Sequence, residues 1–135
     1  MIKQIHHIGI VVKSLDEAVA VYANGLGLQV SKVTASEKDG VKIAFMPAGE
    51  SDIELLEPTN PANSVARFLE TRGEGIHHIA IEVDDIEAHL RRLEAAGAVL
   101  IDKTPRKGAE GMVAFVHPKS MKGVLVELVQ RESLA

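Results

Sequence analysis

Two histidine pairs, His6-His7 and His77-His78, and two glutamates set in apolar runs, Glu54 and Glu127, are the residues of this chain whose types and spacing could do chemistry. The pairs lie in matching frames. Under a shift of 71 residues, which carries His7 onto His78, Ile5-His6-His7-Ile8-Gly9-Ile10-Val11-Val12 falls on Ile76-His77-His78-Ile79-Ala80-Ile81-Glu82-Val83 with six of eight positions identical. Both runs alternate like strands, and successive strand side chains point to opposite faces, so only one histidine of each pair lines a common site. His7 shares its face with Gly9 and Val11, and His78 shares its face with Ala80 and Glu82, small neighbours that leave room for a ligand. His6 shares its face with Ile8, Ile10 and Val12, an aliphatic set expected beneath a helix, which leaves His6 and His77 to pack or hydrogen-bond behind the site.

Glu54 lies within Ile53-Glu54-Leu55-Leu56 and Glu127 within Leu125-Val126-Glu127-Leu128-Val129. Runs that are apolar on both faces are buried, and a buried carboxylate without a partner protonates rather than stay charged. A metal ion removes that cost. Imidazoles and carboxylates without thiolate suit a divalent Co, Mn, Ni, Fe or Zn ion whose shell is completed by water or substrate, and open positions imply catalysis. If the two halves pack with pseudo-twofold symmetry, His7, Glu54, His78 and Glu127 form one His2Glu2 set. Cysteine is absent, which excludes thiolate nucleophiles, disulfides and zinc-thiolate centres.

The elements that must position these residues repeat as well. Ala44-Phe45 resembles Ala114-Phe115, and Ile53-Glu54-Leu55-Leu56 resembles Val126-Glu127-Leu128-Val129. After the first strand, Ser14 with Glu17 predicts a capped helix along Leu15, Ala18, Val19 and Tyr22 that ends before Gly25. After the second histidine strand, Asp84 or Asp85 caps a helix along Ile86, Leu90 and Leu93, closed by Gly97. Strand patterns follow at 27–35, 41–47 and 51–57, then at 98–102, 112–117 and 123–130. The prediction is an α+β fold of two tandem βαβββ modules, about 3–58 and 75–130, in one domain over 1–135, with a curved, partly open barrel-like sheet around a metal cleft and helices outside. Val65, Phe68 and Leu69 predict a short connecting helix, stopped by Gly73 and Gly75.

The chain has 135 residues, 46% hydrophobic and 25% charged, which is the composition of one globular domain. No apolar run reaches bilayer-spanning length, so no membrane partner is expected. The net charge of −4 and the scattered basic residues argue against nucleic acid. Met1-Ile2-Lys3-Gln4 runs directly into a strand pattern, from which a cytoplasmic protein is expected. Arg106-Lys107-Gly108-Ala109-Glu110-Gly111 lacks the strand and helix context of a phosphate loop and reads as a basic hairpin turn, and His117-Pro118-Lys119 reads as a turn before the last strand.

Paired modules with His on the first strand and Glu on the last resemble the vicinal oxygen chelate superfamily, and HHIGIVV, GIHHIAIEVDDI and HPKSMKGVLVELVQ resemble its methylmalonyl-CoA epimerases along nearly the whole chain. The resemblance implies an isomerase that interconverts (R)- and (S)-methylmalonyl-CoA in propionate metabolism, a homodimer, and a divalent ion, cobalt foremost. It places His7, Glu54, His78 and Glu127 on the metal positions, with Glu127 as a catalytic base. Some members carry a further catalytic glutamate in the stretch corresponding to Val41-Lys42-Ile43, where this chain has no acid, so Glu54 or a water takes that proton. Lys119, Arg106 and Lys107 are the basic residues offered to the anionic groups of the acyl-CoA. A glyoxalase would use the same four ligand types, and a metal-free binding or resistance protein on this scaffold would need none of them.

Overall fold

Alternating β-branched and small residues carry the first strand, β1, over Ile2–Val11. The computed structural model describes residues 1–131 of the chain, which fall into two compact units, both α+β. One unit runs from His7 to His77. The other joins Met1–His6 to the chain from His78 onward, so β1 is divided between them at His6-His7.

In the unit His7–His77, the later half of β1 is followed by α1 (Leu15–Leu26), β2 (Lys32–Ser36), β3 (Val41–Ala48), β4 (Ser51–Pro58) and α2 (Ser64–Arg72), with the strands in the order β2-β3-β4-β1. The Ser14 side chain accepts from the Glu17 N–H and opens α1, whose first turn holds Asp16 and Glu17 at the positive end of the helix dipole. The helix runs past Gly25 and stops at Gly27, because Gly27 is the glycine that turns into the left-handed region (φ 78°), where its N–H returns to the Ala23 carbonyl and the Leu28 N–H to that of Tyr22. Leu15 packs with Val12, Ala44, Met46 and Leu55, and Ala18, Val19 and Tyr22 close over them. The expected connecting helix is α2, capped by Asn63 and ended at Gly73.

The second unit contains β5 (Gly75–Val83, from His78 onward), α3 (Ile86–Ala95), β6 (Arg106–Gly108), β7 (Gly111–Val116), a 3-10 turn at Pro118–Met121 and β8 (Val126–Gln130), in the strand order β5-β8-β7-β6. Asp85 caps α3 by accepting from the Ala88 N–H. Its neighbour Asp84 accepts from the Met1 ammonium, and that hydrogen bond holds the Asp84 carboxyl below its ordinary range. Val83, Ile86, Leu90, Ala114 and Leu128 form the core under α3. The strand expected at 98–102 does not form. A single bridge joins Leu100 to Val116, and the Asp102 carboxylate accepts the Phe115 N–H at 2.8 Å where a strand carbonyl would have done so. The pairing strand of β7 falls instead at Arg106–Gly108, which makes the basic segment a hairpin with the turn Ala109-Glu110.

Candidate functional site

Glu54 is placed by two neighbouring strands: on β4 it stands opposite Gly9 of parallel β1 and opposite Phe45 of antiparallel β3. His7 lies two residues before Gly9, on the same face, and its Nδ1 is 3.0 Å from Glu54 Oε2. Both residues are 5% exposed. The other unit builds the same pair from the same registers. Glu127 on β8 stands opposite Ala80 of parallel β5 and opposite Phe115 of antiparallel β7, and His78 Nε2 lies 3.3 Å from Glu127 Oε1. His78 is 7% and Glu127 8% exposed. The small residues Gly9 and Ala80 follow each histidine on its strand face and stand directly opposite the glutamates.

The partner histidines behave differently. Ile10 and Val12 pack under α1 as expected of their face, and His6 is buried. It belongs to the second unit, where its fully buried side chain places Nε2 2.6 Å from Glu110 Oε2 in the β6–β7 turn. A buried, hydrogen-bonded His6 is one of the two roles its strand face predicts, and the partner is what the local pattern does not reveal. Glu110, half-buried in that turn, is an acid that sequence reasoning missed, since its neighbours Ala109 and Gly111 form no apolar run to draw attention to it. His77 is half-buried and packs edge-on to Phe68 of α2, with ring centroids 5.1 Å apart. A third buried carboxylate, Glu82, receives the Gln4 amide at 3.0 Å and Arg131 Nε at 3.1 Å.

Of the three basic residues expected at the ligand, Lys119 is exposed in the 3-10 turn and its N–H donates to His117 Nδ1. Lys107 is exposed on β6 opposite Met112. Arg106 stacks over Phe115, the ring that itself meets His78 edge-on at 5.8 Å.

An imidazole nitrogen and a carboxylate oxygen, both withdrawn from water and about a hydrogen bond apart, form a donor pair that fits a divalent cation of the first transition row. Without a cation, one proton shared between the two groups gives the acid and base positions of a proton-transfer site.

Residues 6–116 match the model of the glyoxalase/bleomycin resistance protein/dioxygenase superfamily. The chain is 43% identical over 133 residues to the ethylmalonyl-CoA/methylmalonyl-CoA epimerase of Cereibacter sphaeroides, covering 96% of this chain and 99% of that one. It is 31% identical over 131 residues to a probable lactoylglutathione lyase of Vibrio parahaemolyticus, covering 96% and 91%. Among solved structures it is similar to Streptomyces coelicolor methylmalonyl-CoA epimerase in complex with 2-nitronate-propionyl-CoA, with a TM-score of 0.92, 34% identity and coverage of 98% and 100%. The chain thus belongs to the glyoxalase/bleomycin resistance protein/dioxygenase superfamily and, within it, to the family of the methylmalonyl-CoA epimerases.

Proposed function

We propose that the protein interconverts the (R) and (S) epimers of methylmalonyl-CoA, using His7, Glu54, His78 and Glu127 to hold one divalent ion. The observation that carries this reading is the buried imidazole–carboxylate pair built twice, in matching registers, in a chain of this family. When bound, the ion supplies Lewis-acid stabilisation for the negative charge that develops on the substrate oxygens as the α-proton leaves. The rest is proton transfer by the chain's own carboxylates. The α-carbon lies between a thioester and a carboxylate, so its proton is acidic enough for a glutamate base. Inversion requires removal from one face and return to the other; in this reading Glu127 takes the proton and Glu54 delivers the second. Burial of both carboxylates keeps water from competing for either transfer.

The reading includes cobalt as the ion, a homodimer, the cytoplasm, and propionate metabolism as the setting, with Lys119, Arg106 and Lys107 facing the anionic parts of the acyl-CoA. No helix among the described residues is long and apolar enough to cross a membrane. A lyase acting on a glutathione hemithioacetal is the second reading, supported by the same ligand types and by the Vibrio relative at lower identity.

The test is proton NMR of (S)-methylmalonyl-CoA in deuterated water with chelated and cobalt-loaded protein. The expected outcome is loss of the α-proton signal and appearance of the (R) epimer in the loaded sample alone, with His78→Ala losing both metal uptake and exchange. No exchange in the loaded sample overturns the substrate, and full exchange in the chelated sample overturns the metal.

A further inference from the structure

In both units the imidazole–carboxylate pair is continued by two more residues in the same order. In the unit His7–His77, Phe45 stands opposite Glu54, and Lys32 of the outermost strand β2 stands opposite Phe45, with Nζ 4.7 Å from the ring centroid. In the other, Phe115 stands opposite Glu127, and the Arg106 guanidinium lies 5.6 Å from the centroid of that ring. Cation, phenyl ring, carboxylate and imidazole therefore recur as a set. The cations differ in what else they touch. Arg106 Nε lies 3.4 Å from Asp102 Oδ1, whereas Lys32 has no acidic partner among the described residues.

A phenyl face attracts an ammonium through its quadrupole and excludes water from one side without neutralising it, so the charge remains available to an anion. The long aliphatic stem lets Lys32 lie along the ring while its head stays exposed. We infer that Lys32 is an anion-binding residue of the acyl-CoA site, taking a carboxylate or phosphate oxygen of the ligand. The inference rests on the acyl-CoA reading above. It concerns binding alone, because an ammonium offers three donors and no acceptor and does not carry the α-proton.

Isothermal titration of the cobalt-loaded protein with malonyl-CoA and with propionyl-CoA tests it, since the two thioesters share their phosphates and differ in the free carboxylate. Lys32→Ala is expected to weaken malonyl-CoA by about ten- to a hundredfold, the value of one charge-assisted hydrogen bond. Unchanged propionyl-CoA binding then identifies the carboxylate as the anion, and an equal loss identifies a phosphate; both support the inference. Lys32→Gln, which keeps the stem over Phe45 and removes the charge, is expected to reproduce the loss, and Lys32→Arg to restore most of the affinity. Wild-type affinity for both thioesters in Lys32→Ala and Lys32→Gln overturns the inference alone. Binding of neither thioester by the unaltered protein overturns the acyl-CoA reading, and the inference with it.

Discussion

Glu54, Glu82 and Glu127 are buried carboxylates and Glu110 is a half-buried one, and their partners sort them. Glu82 meets a guanidinium and an amide, which satisfy it permanently. Glu54, Glu110 and Glu127 meet imidazoles, which neutralise a carboxylate only while they hold a proton or share a cation with it. Chemistry is therefore open to these three. If Glu127 and Glu54 are the two proton carriers, Glu127→Gln and Glu54→Gln are each expected to slow α-proton exchange by about 10²–10⁴-fold in protein that still takes up cobalt. The paired measurement of exchange rate and metal content checks this, and an undiminished rate in Glu54→Gln would leave Glu54 as a ligand only. Glu54 and Glu127 were legible in the sequence because apolar flanks on both faces announce burial. Glu110 was not, because a hairpin tip is ordinarily solvated and its partner is His6, more than a hundred residues away in sequence. Equally, the half-buried stretch Val41-Lys42-Ile43 on β3 has no acid to offer, as its composition says.

The elements follow local rules wherever local rules suffice. Ser14 and Asp85 cap their helices as their types predict, Asn63 caps α2, and the two glutamate strands pair in matching registers with the phenylalanines of the repeated Ala-Phe pairs. Prediction fails where a side chain replaces a strand, as Asp102 does at the Phe115 N–H, since nothing in hydrophobic periodicity reports such a bond. Gly111, paired with Gly108, closes the turn of the β6–β7 hairpin. Its φ is 143°, and a Cβ there would lie 2.3 Å from the Gln130 carbonyl oxygen and 2.9 Å from Arg131 Cα, both backbone atoms that cannot swing aside. Gly111→Ala is expected to destabilise the fold by about 1–3 kcal/mol through that clash. Urea unfolding measures it, and because the turn bearing Glu110 adjoins Gly111, the same variant should report whether the His6–Glu110 bond survives, through the His6 imidazole signals in NMR.

At the scale of the whole molecule the 71-residue repeat was the most legible feature, and the crossing of β1 between units the least, because a repeat is visible in one dimension and a strand's later partner is not. The proposal of one ion held by four residues makes a numerical claim: equilibrium dialysis is expected to find one cobalt per chain, with His7→Ala and His78→Ala each abolishing uptake. Two ions per chain, lost one at a time, would assign a separate ion to each imidazole–carboxylate pair. At free metal of about a hundred times Kd, binding should raise stability by about 2.7 kcal/mol, seen as a higher thermal midpoint that a chelator reverses. The division of β1 also bears on how the protein is made. His7–His77 is contiguous and is available to fold as soon as those residues have left the ribosome, whereas Met1 finds its partner only when Asp84 emerges. Closing that long interval raises contact order and slows the final step. Residues 1–6, including a histidine destined for full burial, are thus among the last to reach their place.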